Sequence, residues 1–249
     1  MEKSLIPISE IIKQGWQLYL DNFSKFFYPI IVSLIPYLLL YVVEYFNTPA
    51  APILIIILTA LSIVIDFWVV IVFMELIDKI YKKQTIEANK IYESAFKKIP
   101  SYFLVALLVG LITILGFILL IIPGIIFAVW YSFAVYINVL ENKDNKGWTA
   151  LKSSKELVTG RWGKTFWRLL LPSLLIYAIV LAVIIALMFM ISGGQIDLIS
   201  YEQSIIYNLI TSVIFTILSP LFVAFILFLY YSLKETKEVK SEENSSQTA

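Results

Sequence analysis

The chain has 249 residues, of which 60% are hydrophobic and only 15% charged, where soluble domains carry about 45–50% and about 25%. Net charge is +1, so no bulk field draws in nucleic acid. Cysteine and histidine are both absent, which removes disulfides, thiolate nucleophiles, thiolate metal sites and the commonest general base. With a mean hydropathy of +0.86, this is the composition of an integral membrane protein. Most hydrolase and metalloenzyme constellations cannot be built from it, and no cofactor or metal is expected.

Residues 1–25 mix Glu, Lys and aromatics and do not read as a signal peptide. Ile8, Ile12, Trp16, Tyr19, Leu20 and Phe23 recur there at helical spacing. Apolar stretches of roughly 26–46 and 53–75 follow, each long enough to cross a bilayer core of about 30 Å. A second amphipathic segment carries Ala88, Ile91, Tyr92, Ala95, Phe96 and Ile99. The next apolar run, 103–141, would reach roughly 58 Å as one helix, so it must fold into two spans, about 103–121 and 125–141. Pro123-Gly124 suits the turn between them, because proline fixes φ at the second turn position and glycine accepts a positive φ at the third. A third amphipathic segment holds Trp148, Leu151, Leu157, Val158 and Trp162, ahead of spans at 167–191 and 206–232. The polar tail from 234 to 249 lacks an apolar period and is expected to be disordered and cytoplasmic.

Charge placement tests this arrangement. Lys and Arg number 3 in residues 1–25, 6 in 76–102, 7 in 142–168 and 3 in 233–249, which accounts for all 19. The loops at 47–52, 122–124 and 192–205 have none, and Asp197 and Glu202 are the charges they carry. Six spans put every basic segment on one face, which the positive-inside rule makes cytoplasmic, with both termini there. The expected fold is therefore all-α. It has six transmembrane helices in a single domain over 1–233, and three amphipathic helices in the headgroup layer, facing anionic lipid on the cytoplasmic side. Packing on the cytoplasmic end of the bundle is the alternative for those three.

The chain also parses as three parallel units, about 7–75, 85–141 and 148–232, each an amphipathic helix followed by a hairpin. Residues 11–27 lie over 150–166 at an offset of 139, pairing Ile12 with Leu151, Lys13 with Lys152, Leu18 with Leu157, Lys25 with Lys164 and Phe27 with Phe166. The middle copy matches less well.

Candidate functional residues are few. Asp66 sits near the middle of the second span, where a carboxylate costs at least about 2.5–3.5 kcal/mol. Thr59 and Ser62 share its helical face. In the sixth span Asn208, Thr211, Ser212, Thr216 and Ser219 fall within about 140° of a helical wheel. The two stripes either face each other and line a polar path, or act as interhelical hydrogen-bond glue worth about 0.6 kcal/mol per contact.

The block PGIIFAVWYSFAVYINVLENKDNKGWTALKSSKELVTGRWGKTF, 123–166, carries Pro123 and Gly124, then Glu141, then Ala150, Leu151, Ser154, Leu157 and Gly160. This pattern is similar to the membrane domain attached to some bacterial glycerophosphodiester phosphodiesterases and to related stand-alone multi-pass membrane proteins. The resemblance implies that membrane architecture. It does not carry over the phosphodiesterase activity, which belongs to a separate soluble barrel using His and acidic residues. The expected function is a non-enzymatic plasma-membrane component: a scaffold, an assembly factor or the partner subunit of another membrane protein. A proton-linked transporter or lipid-handling permease using Asp66 is the alternative.

Overall fold

The computed structural model describes the backbone of residues 5–46, 48–141, 147–191 and 205–247. The described chain is helical throughout: α1 Ile8–Asp21, α2 Phe23–Phe46, α3 Ala51–Tyr81, α4 Ala88–Leu119, α5 Ile121–Tyr131, α6 Ala134–Leu140, α7 Gly147–Val158, α8 Trp162–Ile191 and α9 Ile205–Gln247. Among the described residues six segments are long and apolar enough to cross a membrane: α2, α3, α4, α5 with α6, α8, and α9 over Tyr207–Glu238. The loop 192–204, with Asp197 and Glu202, lies outside the described residues.

Helices α2 and α3 form one antiparallel hairpin and α8 and α9 another, and α9 packs into the first hairpin against both of its arms. The core gathers at the basic end. Ile71, Val72, Phe73 and Ile77 of α3 meet Phe133, Ala134 and Val139, together with Leu221, Ala224, Leu227 and Leu233 of α9, all of them shielded. The opposite halves of the long helices are just as apolar but exposed, as at Ile53, Ile56, Leu181 and Met190. Apolar surface left bare along whole helical turns is what a bilayer covers.

Helix α4 reverses into α5 and α6 as the length of the 103–141 run demands. Near its start, Lys98 Nζ donates to the Val139 carbonyl at 2.9 Å and Asn138 donates to Ser101 Oγ at 3.3 Å, so both arms begin and end together. The reversal falls at Leu120, the one extended residue between the helices, and not at Pro123-Gly124. Pro123 is the third residue of α5, where its missing N–H would have had no helical partner. Gly124 serves close packing: a Cβ there would stand 2.4 Å from the Phe117 ring, and one on Gly116 would stand 2.9 Å from the Gly124 Cα. The sequence signal marked the right neighbourhood for a different reason.

The three amphipathic segments also differ from the expectation. The first and third are separate helices, but the second runs without a break into the long apolar helix α4. Each packs on the second arm of the preceding hairpin: α4 on α3, and α7 on α5 and α6. The first closes the circle on α9. Ile6 N–H donates to Ser232 Oγ at 2.9 Å, Gly15 abuts the Phe225 ring, and Tyr19 Oη donates to the Ile217 carbonyl at 3.0 Å, so α1 runs antiparallel along α9. All three segments thus pack on the bundle. The fourth and eighth residues of the three helices are all buried: Ile11 and Gly15, Ile91 and Ala95, Ala150 and Ser154. Trp16, Leu20, Phe23, Phe96 and Trp148 remain exposed around them. Helix α9 continues to Gln247, through the tail expected to be disordered. ETKEVKSEEN contains mostly good helix formers, which extend a helix already nucleated by packing.

Candidate functional site

Asp66 is turned toward α2. Ser33 and Tyr37, one helical turn apart there, each donate a hydroxyl hydrogen bond to it: Ser33 Oγ to Oδ1 at 2.9 Å and Tyr37 Oη to Oδ2 at 2.5 Å. Both carboxylate oxygens are thus engaged. Its neighbours on the stripe behave differently. Ser62 is buried but donates to its own helix, to the Thr59 carbonyl at 2.8 Å, and Thr59 itself is exposed. On α9 the Ser212 hydroxyl lies 2.9 Å from Tyr41 Oη, Thr211 Oγ1 is buried without a hydrogen-bond partner, and Asn208 is exposed.

Among the described residues no hydrogen bond joins the two stripes directly. A face of α2 bonds to both, with Ser33, Tyr37 and Tyr41 at successive turns, the first two reaching α3 and the third reaching α9. Counting only short hydroxyl and amide side chains hid this, because tyrosine reads as apolar on a helical wheel yet reaches a partner with its phenol.

A second polar layer, not anticipated, lies at the basic end. Glu75 on α3 is shielded and accepts from Ser94 Oγ and from Lys98 Nζ, each at 2.7 Å. Three residues on, Asp78 pairs with Lys82 at 2.9 Å and accepts the Tyr231 hydroxyl. Glu141, after α6, accepts from Tyr230 Oη at 2.7 Å and Lys234 Nζ at 2.8 Å. Tyr81 stacks flat on Tyr231 with centroids 4.6 Å apart. Arg161, between α7 and α8, donates to Thr236 Oγ1 and, at 3.2 Å, to the Leu233 carbonyl; burial pushes its pKa down from the ordinary value. Carboxylates are thus shared among α3, α4, the end of α6 and α9. A cleft of about 280 Å³ opens alongside, bordered by Glu141, Glu156, Tyr230, Lys234 and Lys237. In the sequence these lysines served only to count charge, and nothing in their spacing names their partners.

The conspicuous block at 123–166 acquires a physical account. Helices α5 and α6 are separated by a break at Ser132-Phe133, which frees backbone groups. Fully buried Ser154 of α7 fills it: its hydroxyl accepts the Phe133 N–H at 3.2 Å and donates to the Trp130 carbonyl at 2.7 Å. Ala150, Leu151 and Leu157 are the buried face that brings it there. Gly160 has φ +79°, the left-handed conformation that ends α7 and that glycine adopts without strain. Lys155 Nζ lies 4.4 Å from the centre of the Trp130 ring. No family model, curated protein or solved structure matches the chain.

Proposed function

We propose that this protein is a non-enzymatic component of the plasma membrane, a scaffold, assembly factor or partner subunit, with both termini cytoplasmic and its basic face against anionic lipid. The observation that carries this reading is the state of Asp66. A coupling carboxylate has to exchange protons or cargo, whereas this one has both oxygens taken by hydroxyls of the adjoining helix. It ties the first hairpin together. The paired carboxylates at the basic end do the same for α3, α4, α6 and α9. The resemblance of 123–166 to the membrane domain accompanying some phosphodiesterases supports the same reading, since that domain is a companion to a separate catalytic unit.

One observation favours the alternative, a proton-linked transporter. Asp66 with Tyr37, and Tyr41 with Ser212, place polar side chains on three adjoining helices, and Thr211 Oγ1 lies buried beside Ser212 without a partner. Asp66→Asn separates the two, because it keeps volume and hydrogen-bonding capacity but cannot ionise. The scaffold reading expects unchanged expression, unfolding midpoint and co-purifying membrane proteins, and full complementation of a deletion strain. Loss of complementation with stability and co-purification intact would transfer the assignment to proton coupling.

A further inference from the structure

Helix α4 does not run alongside α3. It crosses it. Tyr92 accepts the Trp68 indole N–H on its carbonyl at 3.0 Å, Phe96 and Ile99 border a cleft with Ile65 and Trp68, and Phe103 stands 5.8 Å from Phe67. These α4 residues recur at helical spacing along one side, over about 16 Å of helix, yet all of them meet α3 near residues 64–68. The other side of α4, Ser94 and Lys98, meets Glu75. Two helices running side by side would exchange partners in step. Here a whole flank of α4 stays at one level of α3, which is the signature of a steep crossing.

The returning arm stays low as well. The Trp162 indole N–H donates to the Ile126 carbonyl at 3.3 Å, and the adjacent Arg161 is held at Leu233 and Thr236, the basic end of α9. Glu141, fifteen residues after Ile126, is held at the same end by Lys234. From Ile126 the chain has six residues to the turn at Leu120, about 9 Å of helix. From Glu75, α3 continues for 24 residues to Ala51, about 36 Å.

The tip is also built for lipid. Residues 117–122, FILLII, include no polar side chain, and Ile118, Leu119, Leu120, Ile121 and Ile122 are each 68–73% exposed. The other two loops on that face carry Asn, Thr, Ser, Gln, Asp and Glu. At the turn Leu120 N–H donates to the Gly116 carbonyl at 3.0 Å, Gly124 N–H donates to the Leu120 carbonyl at 3.3 Å, and Pro123 has no N–H, which leaves the N–H groups of Ile121 and Ile122 without a backbone partner. Two of the four donors usual at a helix start are thereby removed, which lowers the cost of placing the turn in hydrocarbon.

We propose that the α4–α5 hairpin is re-entrant. It enters the bilayer from the basic face and turns at Leu120 among the acyl chains. It returns to the same face, so that α2, α3, α8 and α9 are the full crossings. Its partner is the hydrocarbon of the basic-side leaflet. Charge placement does not distinguish this from a complete hairpin, since either returns the chain to the side it left.

The natural absence of cysteine makes the test direct. Single cysteines are placed in the full-length protein at Leu119, Ile121, Thr48 for the loop face and Lys152 for the basic face. Each is exposed to a membrane-impermeant maleimide in right-side-out and inverted vesicles. A nitroxide at each site then reports collision with oxygen against a water-soluble nickel complex. Re-entrance predicts that Leu119→Cys and Ile121→Cys resist the maleimide from both sides and collide preferentially with oxygen. Thr48→Cys and Lys152→Cys should label from opposite sides. Labelling of the tip cysteines from the Thr48 side, as a complete hairpin requires, overturns the proposal. So does labelling from the Lys152 side. Both tip side chains face outward, so neither substitution disturbs packing, and a native elution profile confirms it.

Discussion

Ser154 offers the sharpest test of how the middle of the chain is held. Replacing it with alanine removes one hydroxyl but strands two backbone groups, the Phe133 N–H and the Trp130 carbonyl. A group left unpaired in a buried site costs about 1–3 kcal/mol, so two cost about 2–6 kcal/mol if nothing moves. Partial rewinding of the break would recover some of this, and the expected loss is about 2–4 kcal/mol, a large share of the 5–15 kcal/mol typical of a folded protein. Ser153→Ala is the control. Its hydroxyl borders the open cleft, and the change should stay within about 0.5 kcal/mol. The assay is unfolding of the purified protein in mixed micelles with rising denaturing detergent, read by tryptophan fluorescence, to which Trp130 at the break contributes. If Ser154→Ala unfolds within about 0.5 kcal/mol of the parent, the hydroxyl is not bridging the break and the account of this block fails.

Glycine substitutions in α4 should diverge. Gly116→Ala forces a methyl to within 2.9 Å of the Gly124 backbone and should cost about 1–3 kcal/mol, while Gly110→Ala meets nothing within 4 Å and should gain up to about 1 kcal/mol in the same assay. Lys98→Met leaves shielded Glu75 without its cation and should cost about 3–5 kcal/mol, whereas Lys98→Met with Glu75→Gln should recover most of it; equal losses would show that the pair does not act as a unit. Tyr37→Phe and Ser33→Ala should each lower the unfolding free energy by about 0.6–1.7 kcal/mol in the parent but by less in an Asp66→Leu background. Additive effects would remove Asp66 from the hydrogen-bond scheme.

Much of the architecture was legible because membrane constraints are coarse. Apolar length and the segregation of lysines from loops that carry no Lys or Arg locate the hairpins with no knowledge of side-chain contacts. Finer features were not, for identifiable reasons. The reversal at Leu120 leaves no mark at that residue, and the marks that do exist, Pro123 and Gly124, record a helix start and a close approach. The fusion of the second amphipathic segment into α4 passes through Pro100, which in isolation argues for a break. Asp66 stood out by its cost, yet its partners Ser33 and Tyr37 lie 33 and 29 residues away on a helix whose polar face is two-thirds tyrosine. The Glu75, Asp78 and Glu141 layer pairs residues up to 153 positions apart, and no local pattern encodes such pairings.

The docking of α1 on α9 bears on how the molecule is made. Ile6 meets Ser232 across 226 positions of sequence, and Tyr19 meets Ile217 across 198. Helix α1 is thus synthesised long before the helix it docks on. Until α9 is made, Gly15 lacks the Phe225 ring it abuts and the Tyr19 hydroxyl lacks the Ile217 carbonyl, and the growing chain is an open row of hairpins. Joining the ends after so long a wait is an entropically slow step. During that interval α9 of another copy offers the same groove. Expression level and the pace of synthesis, more than the stability of the finished bundle, would then decide between self-closure and exchange of ends between neighbouring copies.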